Sequence, residues 1–147
     1  MDDGEKPKML YWTDLYALGI TSLDAHHLHI ILLANVLFEA YNTINVTVSQ
    51  LEIVVEELID FTVYSLDFET DCLVQFEYAE RQTHIEEHES FKRKIGWFKV
   101  NIAVSSDQSY LKHTIFTMWQ YLHNWLNHHI IICDKRFASL LIKKGVK

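Results

Sequence analysis

The sequence has few residues that interrupt helices or cross-link a chain. Its 147 residues include one proline, Pro7, and four glycines. A chain with so few helix breakers favours long helices joined by few loops. Two cysteines, Cys72 and Cys133, are too few for a disulfide framework. No apolar run reaches the ~18–20 residues that span a bilayer, and residues 1–8 lack the apolar segment of a signal peptide. We therefore expect a cytoplasmic protein with no membrane partner.

Basic residues are also scarce. Lys and Arg total 13 against 20 for Asp and Glu, which gives a net charge of −7. Without a basic cluster, the chain is a poor candidate for binding nucleic acid. The hydrophobic content of 49% and the charged content of 22% are typical of a folded protein. The length predicts a single domain over residues 1–147. We expect a monomer, and an oligomer stays open.

Four apolar stripes are present, with spacings of three and four residues that are typical of helices. The stripes start at Leu23, Leu51, His84 and Leu111. Ser49 and Asp107 are the predicted N-terminal caps of the second and fourth helices. Four helices of ~20 residues predict an all-α, antiparallel up-down-up-down four-helix bundle. The bundle is expected over residues 19–145, preceded by an N-terminal arm over residues 1–18.

Several polar side chains fall on or beside the stripes that should face the core. They are His27, Ser65, Glu69, His84, His88 and His129. A single histidine in a core is usually a hydrogen-bonded structural residue. Burying this many polar groups without partners would cost several kcal/mol, however, and one metal centre would satisfy them together.

The spacing of these residues supports a metal centre. His84 and His88 are four residues apart, so both imidazoles project from one helix face and can bind one ion. Glu69 can add a carboxylate from the second helix, and His129 and Asp134 can add ligands from the end of the fourth. Imidazole and carboxylate together suit Fe, Mn or Zn.

His129 and Asp134 pose a geometric problem, because they are five residues apart. On an ideal α-helix five residues turn ~500°, which leaves the two side chains ~140° apart. Both can reach one centre only if the helix widens between them. We therefore predict a local π-type segment between His129 and Asp134.

Four sequence blocks resemble the hemerythrins, especially the single-domain bacterial ones, over residues 12–141. The blocks are Trp12 with Leu23-Asp24-Ala25-His26-His27, then Phe61 with Ser65-Leu66 and Glu69, then His84-x-x-x-His88-x-x-Phe91, and finally Trp125-Leu126-x-x-His129-Ile130-x-x-x-Asp134. The resemblance implies two oxo- or hydroxo-bridged irons inside the bundle. It places His84, His88 and His129 on the first iron and His27 on the second. Glu69 and Asp134 would bridge the two irons.

Ser65 departs from the family pattern. In ungapped alignment it stands where the family has a second histidine on the second iron. A serine hydroxyl is a weak, short ligand, so we expect water in the vacated space and a second iron that is weakly held or absent. Asp67 and Asp71 also have a ligand-like spacing, but using them requires a two-residue deletion before His84, and we do not favour it.

The resemblance implies a non-haem di-iron protein that binds O2 reversibly, for storage, delivery or sensing. Two alternatives stay open because of Ser65. One is a redox enzyme that acts on peroxide or NO at a more open iron. The other is an iron-binding or regulatory protein with a degenerate second site. We favour the O2-binding protein over an enzyme.

No metal-binding role is expected for the remaining histidines, the acidic run or the cysteines. His26 replaces the family's glutamine, and His128 lies ~100° around the helix from His129. Glu86, Glu87 and Glu89 are expected to form a solvated helix face. Both cysteines are expected to be small buried side chains.

Overall fold

The computed structural model describes residues 5–105 and 107–147. Over these residues the chain is helical and contains no β-strand, which confirms the predicted fold class. A short 3₁₀ turn, Asp14–Tyr16, precedes four long helices. Helix α1 is Thr21–Tyr41, and α3 is Arg81–Ala103. Helix α2 joins Val48–Phe61, the π segment Thr62–Leu66 and Asp67–Gln75, and α4 joins Gln108–Trp125, the π segment Leu126–Asp134 and Lys135–Lys143.

The helices form an up-down-up-down bundle. Helix α1 packs against α2 and α4, and α3 packs against the same two helices from the other side. The short connections make consecutive helices antiparallel neighbours. None of the described helices is long and apolar enough to cross a membrane.

The helix ends confirm one predicted cap and correct another. The Asp107 side chain accepts a hydrogen bond from the backbone N–H of Tyr110 at 2.8 Å, as predicted. The predicted Ser49 cap is wrong. Thr47 caps α2 instead, in a capping box with Gln50, because their side chains satisfy each other's backbone N–H groups.

The N-terminal arm is fixed to α1 by hydrogen bonds between backbone groups of the arm and side chains of the helix. The Leu10 N–H donates to the Asn35 side chain at 2.8 Å, and the Asn35 amide donates back to the Leu10 carbonyl at 2.9 Å. The Leu18 N–H donates to Asp24 at 2.7 Å. These contacts place the arm along the bundle as expected; residues 1–4 of the predicted arm lie outside the described residues.

The core consists of two apolar clusters with polar side chains between them. The larger cluster contains Leu51, Phe98, Ile115 and Trp119. The smaller cluster comprises Leu18, Ile20, Leu23, Leu73, Phe137, Ala138 and Leu141. His84 lies 5.9 Å from Phe137 and His88 lies 6.4 Å from Trp125, measured between ring centroids. The predicted ligands therefore lie between the two clusters. The larger cluster borders them at Trp125, and the smaller cluster borders them at Phe137.

Candidate metal centre

All the residues predicted as metal ligands are buried. Each of them exposes at most 4% of its surface. They are His27, Glu69, His84, His88, His129 and Asp134. Five of them, all except His27, each place one ligand atom within 4.8 Å of every other. Side chains from α2, α3 and α4 thus converge on one point in the bundle.

The distances between these ligand atoms match those around one octahedral ion. Nε2 of His84 lies 2.6 Å from Glu69 Oε1 and 2.9 Å from Asp134 Oδ1. Nε2 of His129 lies 3.0 Å from Asp134 Oδ1 and 3.2 Å from His88 Nε2. Two ligands at ~2.1 Å from an ion and at right angles to each other are ~3.0 Å apart. The protein side chains therefore hold the spacing that a bound cation needs.

The hydrogen-bonding geometry also fits a cation. Among the described residues, Glu69 Oε1, His84 Nε2 and Asp134 Oδ1 are buried without a hydrogen-bond partner. These three atoms are close together, but none of them has the geometry of a hydrogen bond with another. Each buried polar atom left unsatisfied costs about 1–3 kcal/mol. A positive ion between the atoms would satisfy all three, so the residues present fit a metal.

Asp134 has the geometry of a bridging carboxylate. Its Oδ1 faces His84 and His129, whereas its Oδ2 lies 3.1 Å from Nε2 of His27. The two oxygens of one side chain thus face opposite sides of the centre. We refer to the side with His84, His88 and His129 as the three-histidine side and to the other as the His27 side.

The His27 side is small and tightly packed. Ser65 is 5% exposed and lines this space together with His27, Glu69, Phe61 and Trp125. The space does not admit a water-sized sphere. Between Ser65 and His27 the structure therefore leaves less room than the expectation of a filling water requires. Ser65 also borders a surface cavity on its outer side, lined by His26 and Tyr64 among others.

The alternative ligands Asp67 and Asp71 do not reach the centre. Asp67 is half-buried and forms an ion pair with Lys92 at 2.5 Å, and Asp71 is exposed. The shifted alignment is therefore not supported, and Ser65 is the residue that faces the His27 side.

The predicted π segment is present and extends over Leu126–Asp134. It brings His129 and Asp134 to the same side of α4, with Nε2 and Oδ1 3.0 Å apart. A second π segment, Thr62–Leu66, contains Ser65 and was not predicted. The buried positions of α2 fit ordinary α-helical spacing, so the sequence carries no signal for it.

Two of the predicted ligand histidines are oriented by partners on their outer nitrogens. Nδ1 of His88 is hydrogen-bonded to the Thr70 hydroxyl at 2.9 Å. Nδ1 of His129 donates to the Glu87 carboxylate, and the His129 ring stacks on Trp125 with centroids 3.9 Å apart. Such partners fix the ring orientation and the tautomer of metal-binding imidazoles. The prediction that Glu87 is a solvated residue is wrong, because only 29% of its side chain is exposed.

The pKa values at the centre are set by imidazoles and carboxylates that lie in contact with one another. Burial disfavours the charged form of His84, but the adjacent carboxylates of Asp134 and Glu69 raise its pKa to about 9. Burial likewise opposes charge on His129, and the negative charge of Asp134 raises its pKa well above the usual value. Burial disfavours the charged form of Asp134, yet the charge of His129 lowers its pKa well below the usual range. The hydrogen bond from His129 lowers the pKa of Glu87 to about 2. Without an ion, His84 and His129 therefore hold protons that a metal has to displace.

No protein-family model matches the chain. Bacteriohemerythrin of Clostridium acetobutylicum is 25% identical over 134 residues, which cover 89% of this chain and 100% of that protein. Bacteriohemerythrin of Stenotrophomonas maltophilia is 26% identical over 132 residues, which cover 89% of this chain and 80% of that protein. The chain is hemerythrin-like. A third relative, bacteriohemerythrin of Pseudomonas paraeruginosa, is 25% identical over 114 residues, or 78% of the hemerythrin-like chain and 73% of that protein. The likeness and the buried cluster together point to a metal-binding protein.

Proposed function

We propose that the hemerythrin-like chain binds O2 reversibly at a pair of irons. The first iron would lie on the three-histidine side and the second beside His27. Glu69 and Asp134 would each bridge the pair. The observation that supports this proposal best is the orientation of Asp134, whose two oxygens face His84 and His27 respectively.

The chain's own residues would orient and shield this site. The iron pair, when bound, supplies the electrons that O2 binding requires. Thr70 and Glu87 hold the rings of His88 and His129 in the orientation that points Nε2 at the centre. Phe61 and Trp125 line the His27 side and exclude water, which favours reversible binding over irreversible oxidation of the irons by O2.

A second candidate function is a protein with one firmly held iron. It is favoured by the difference between the two sides of the centre: three imidazoles face one side, whereas His27 and Ser65 face the other. A redox enzyme acting on peroxide or NO is the further alternative, if the His27 side opens to solvent when iron is bound.

One experiment separates these functions. The protein is loaded with Fe(II) without oxygen, its iron is counted per chain, and its visible spectrum is followed as O2 is added and removed. Two irons and an O2-dependent band that disappears on degassing support the proposal. One iron and no such band support the single-iron protein. Immediate oxidation by O2, together with continued consumption of peroxide or NO when either is added with a chemical reductant, supports the enzyme.

The organisation of the chain is part of the same proposal. We propose that residues 1–147 form one hemerythrin-like domain, a cytoplasmic monomer with O2 as its partner. The joint packing of all four helices around the centre supports one domain. The molar mass of the iron-loaded protein in solution tests the monomer.

A further inference from the structure

A second group of metal-ligating side chains lies on the outer side of the centre. Glu87, His128 and Cys133 each place a ligand atom within 4.8 Å of the other two. Oε1 of Glu87 lies 3.6 Å from Nε2 of His128. The side chain of His128 is 68% exposed, and Cys133 is half-buried, which corrects the expectation that this cysteine is a buried apolar residue. We refer to these residues as the outer trio.

The π segment of α4 brings two members of the outer trio, His128 and Cys133, to the same side of the helix. His128 and Cys133 are five residues apart, just as His129 and Asp134 are. On an α-helix each pair would diverge by ~140°. The π segment brings residues five apart to the same side of the helix. It therefore forms two parallel pairs, of which His129 and Asp134 face inward and His128 and Cys133 face outward.

Glu87 lies between the two pairs. One of its oxygens, Oε2, accepts the hydrogen bond from His129. The other, Oε1, faces His128. The carboxylate can thus keep His129 oriented and still offer an oxygen to an ion on the outside.

We propose that the outer trio binds a zinc ion at the surface of the bundle, separate from the central site. Thiolate, imidazole and carboxylate are the ligands that zinc takes in proteins, and three protein ligands leave a fourth position for water. The thiolate favours zinc over magnesium or calcium, which prefer oxygen ligands. Binding would release the Cys133 thiol proton to solvent.

The surroundings of the outer trio suit such an ion. Ligands at ~2.0–2.3 Å around a tetrahedral zinc are ~3.3–3.8 Å apart. The present spacing needs only a small movement, which the exposed ring of His128 can make. A surface cavity opens beside the trio, so the fourth position can reach water; Glu80, Thr83 and Arg136 are among its lining residues, and His84 of the centre lies at its inner end. The guanidinium of Arg136 is 4.0 Å from the Glu80 carboxylate, which offsets its charge.

Cobalt provides the test, because a thiolate bound to Co²⁺ gives a near-ultraviolet charge-transfer band. Protein with its central site filled with iron is titrated with Co²⁺, and Zn²⁺ is then added. We expect a band that saturates at one Co²⁺ per chain and disappears as Zn²⁺ displaces cobalt. Cys133→Ser should abolish the band, and His128→Ala should weaken Co²⁺ binding by at least about tenfold.

Three variants serve as controls. Cys72→Ser removes the other cysteine, His113→Ala removes an exposed histidine outside the trio, and His88→Ala disrupts the central site. All three should keep the band. Absence of a band in the unaltered protein, a band that survives Cys133→Ser, or a band lost in His88→Ala would overturn the proposal. Because the cobalt band depends on Cys133, this result does not depend on whether the centre binds O2.

Discussion

The larger apolar cluster and the metal centre occupy the same four helices but are built differently. Around Leu51, Ile115 and Trp119 the helices are regular, and each turn adds an apolar side chain to the core. Around the centre, α2 and α4 both widen into π segments. Regular helices are sufficient to bury apolar surface, whereas the proposed ligands His129 and Asp134 converge only because the regular repeat is interrupted. The comparison predicts that stability and metal binding can be changed separately.

The largest expected effect is on the metal side of this comparison. His88→Ala should remove most of the bound iron, because the variant loses an imidazole that faces both Glu69 and His129. The loss should exceed the ~10–100-fold weakening typical of removing an outer partner. Iron counted per folded chain measures it, with His113→Ala as the exposed control. Full iron content in the His88 variant would refute the ligand assignment.

A substitution in the larger apolar cluster should have the opposite pattern and lower stability without changing iron binding. Ile115 is fully buried there, so Ile115→Ala should lower the free energy of unfolding by about 2–5 kcal/mol. Iron content per folded chain should stay unchanged. Urea denaturation measures the stability, and Ile53→Ala, at a position that is 65% exposed, should change it by less than ~0.5 kcal/mol. A parallel loss of iron would show that the two regions are not separable.

The pH dependence of the metal-free protein comes from the centre. The pKa of His84 is about 9 in the folded chain against 6.5 in the unfolded one. A raised pKa means that folding favours the protonated ring, so its contribution is complete below pH 6.5 and is lost as the pH rises through about 9. We expect a loss of about 3 kcal/mol over that range. Urea denaturation at both ends measures it, and a His84→Gln variant with the same pH slope would contradict the assignment.

The smallest expected effect concerns the two sides of the centre. Ser65→His should make the His27 side resemble the three-histidine side and bind the second iron about tenfold more tightly. The gain is limited because the space between Ser65 and His27 does not admit a water-sized sphere. Iron content and the lifetime of the O2-dependent band measure it. Ser65→Leu controls for size without adding a ligand, and equal results for the two variants would mean that position 65 is not a lost-ligand position.

The sequence predicts much of the fold because the helical stripes are regular. The bundle, the arm and the Asp107 cap follow from apolar spacing and from one short polar side chain. The Ser49 cap is wrong because Thr47 pairs with Gln50, and two hydroxyl residues two positions apart offer similar local signals. Local patterns therefore predict where helices lie better than which residue ends them.

The centre is predictable where polar residues interrupt an apolar stripe. His84, His88 and His129 are identified in this way, and the five-residue spacing to Asp134 predicts the π segment. The role of Glu87 is not predicted, because Glu86 and Glu89 lie close to it in the sequence and a run of acidic residues is typical of a solvated helix face. Its role depends on the position of α4, which only the three-dimensional structure gives. The same holds for the closed space between Ser65 and His27, because it is formed by side chains from different helices.

The π segment of α4 also sets the rotational phase of everything that follows it. Phe137, Ala138 and Leu141 face the smaller apolar cluster. If the helix ran without the widened turn, they would be displaced by about one residue, or ~100° around the axis. Phe137 and Leu141 would then rotate towards solvent, and Asp134 would leave the centre. The widened turn thus couples the closing of the bundle's end to the placement of Asp134 at the centre.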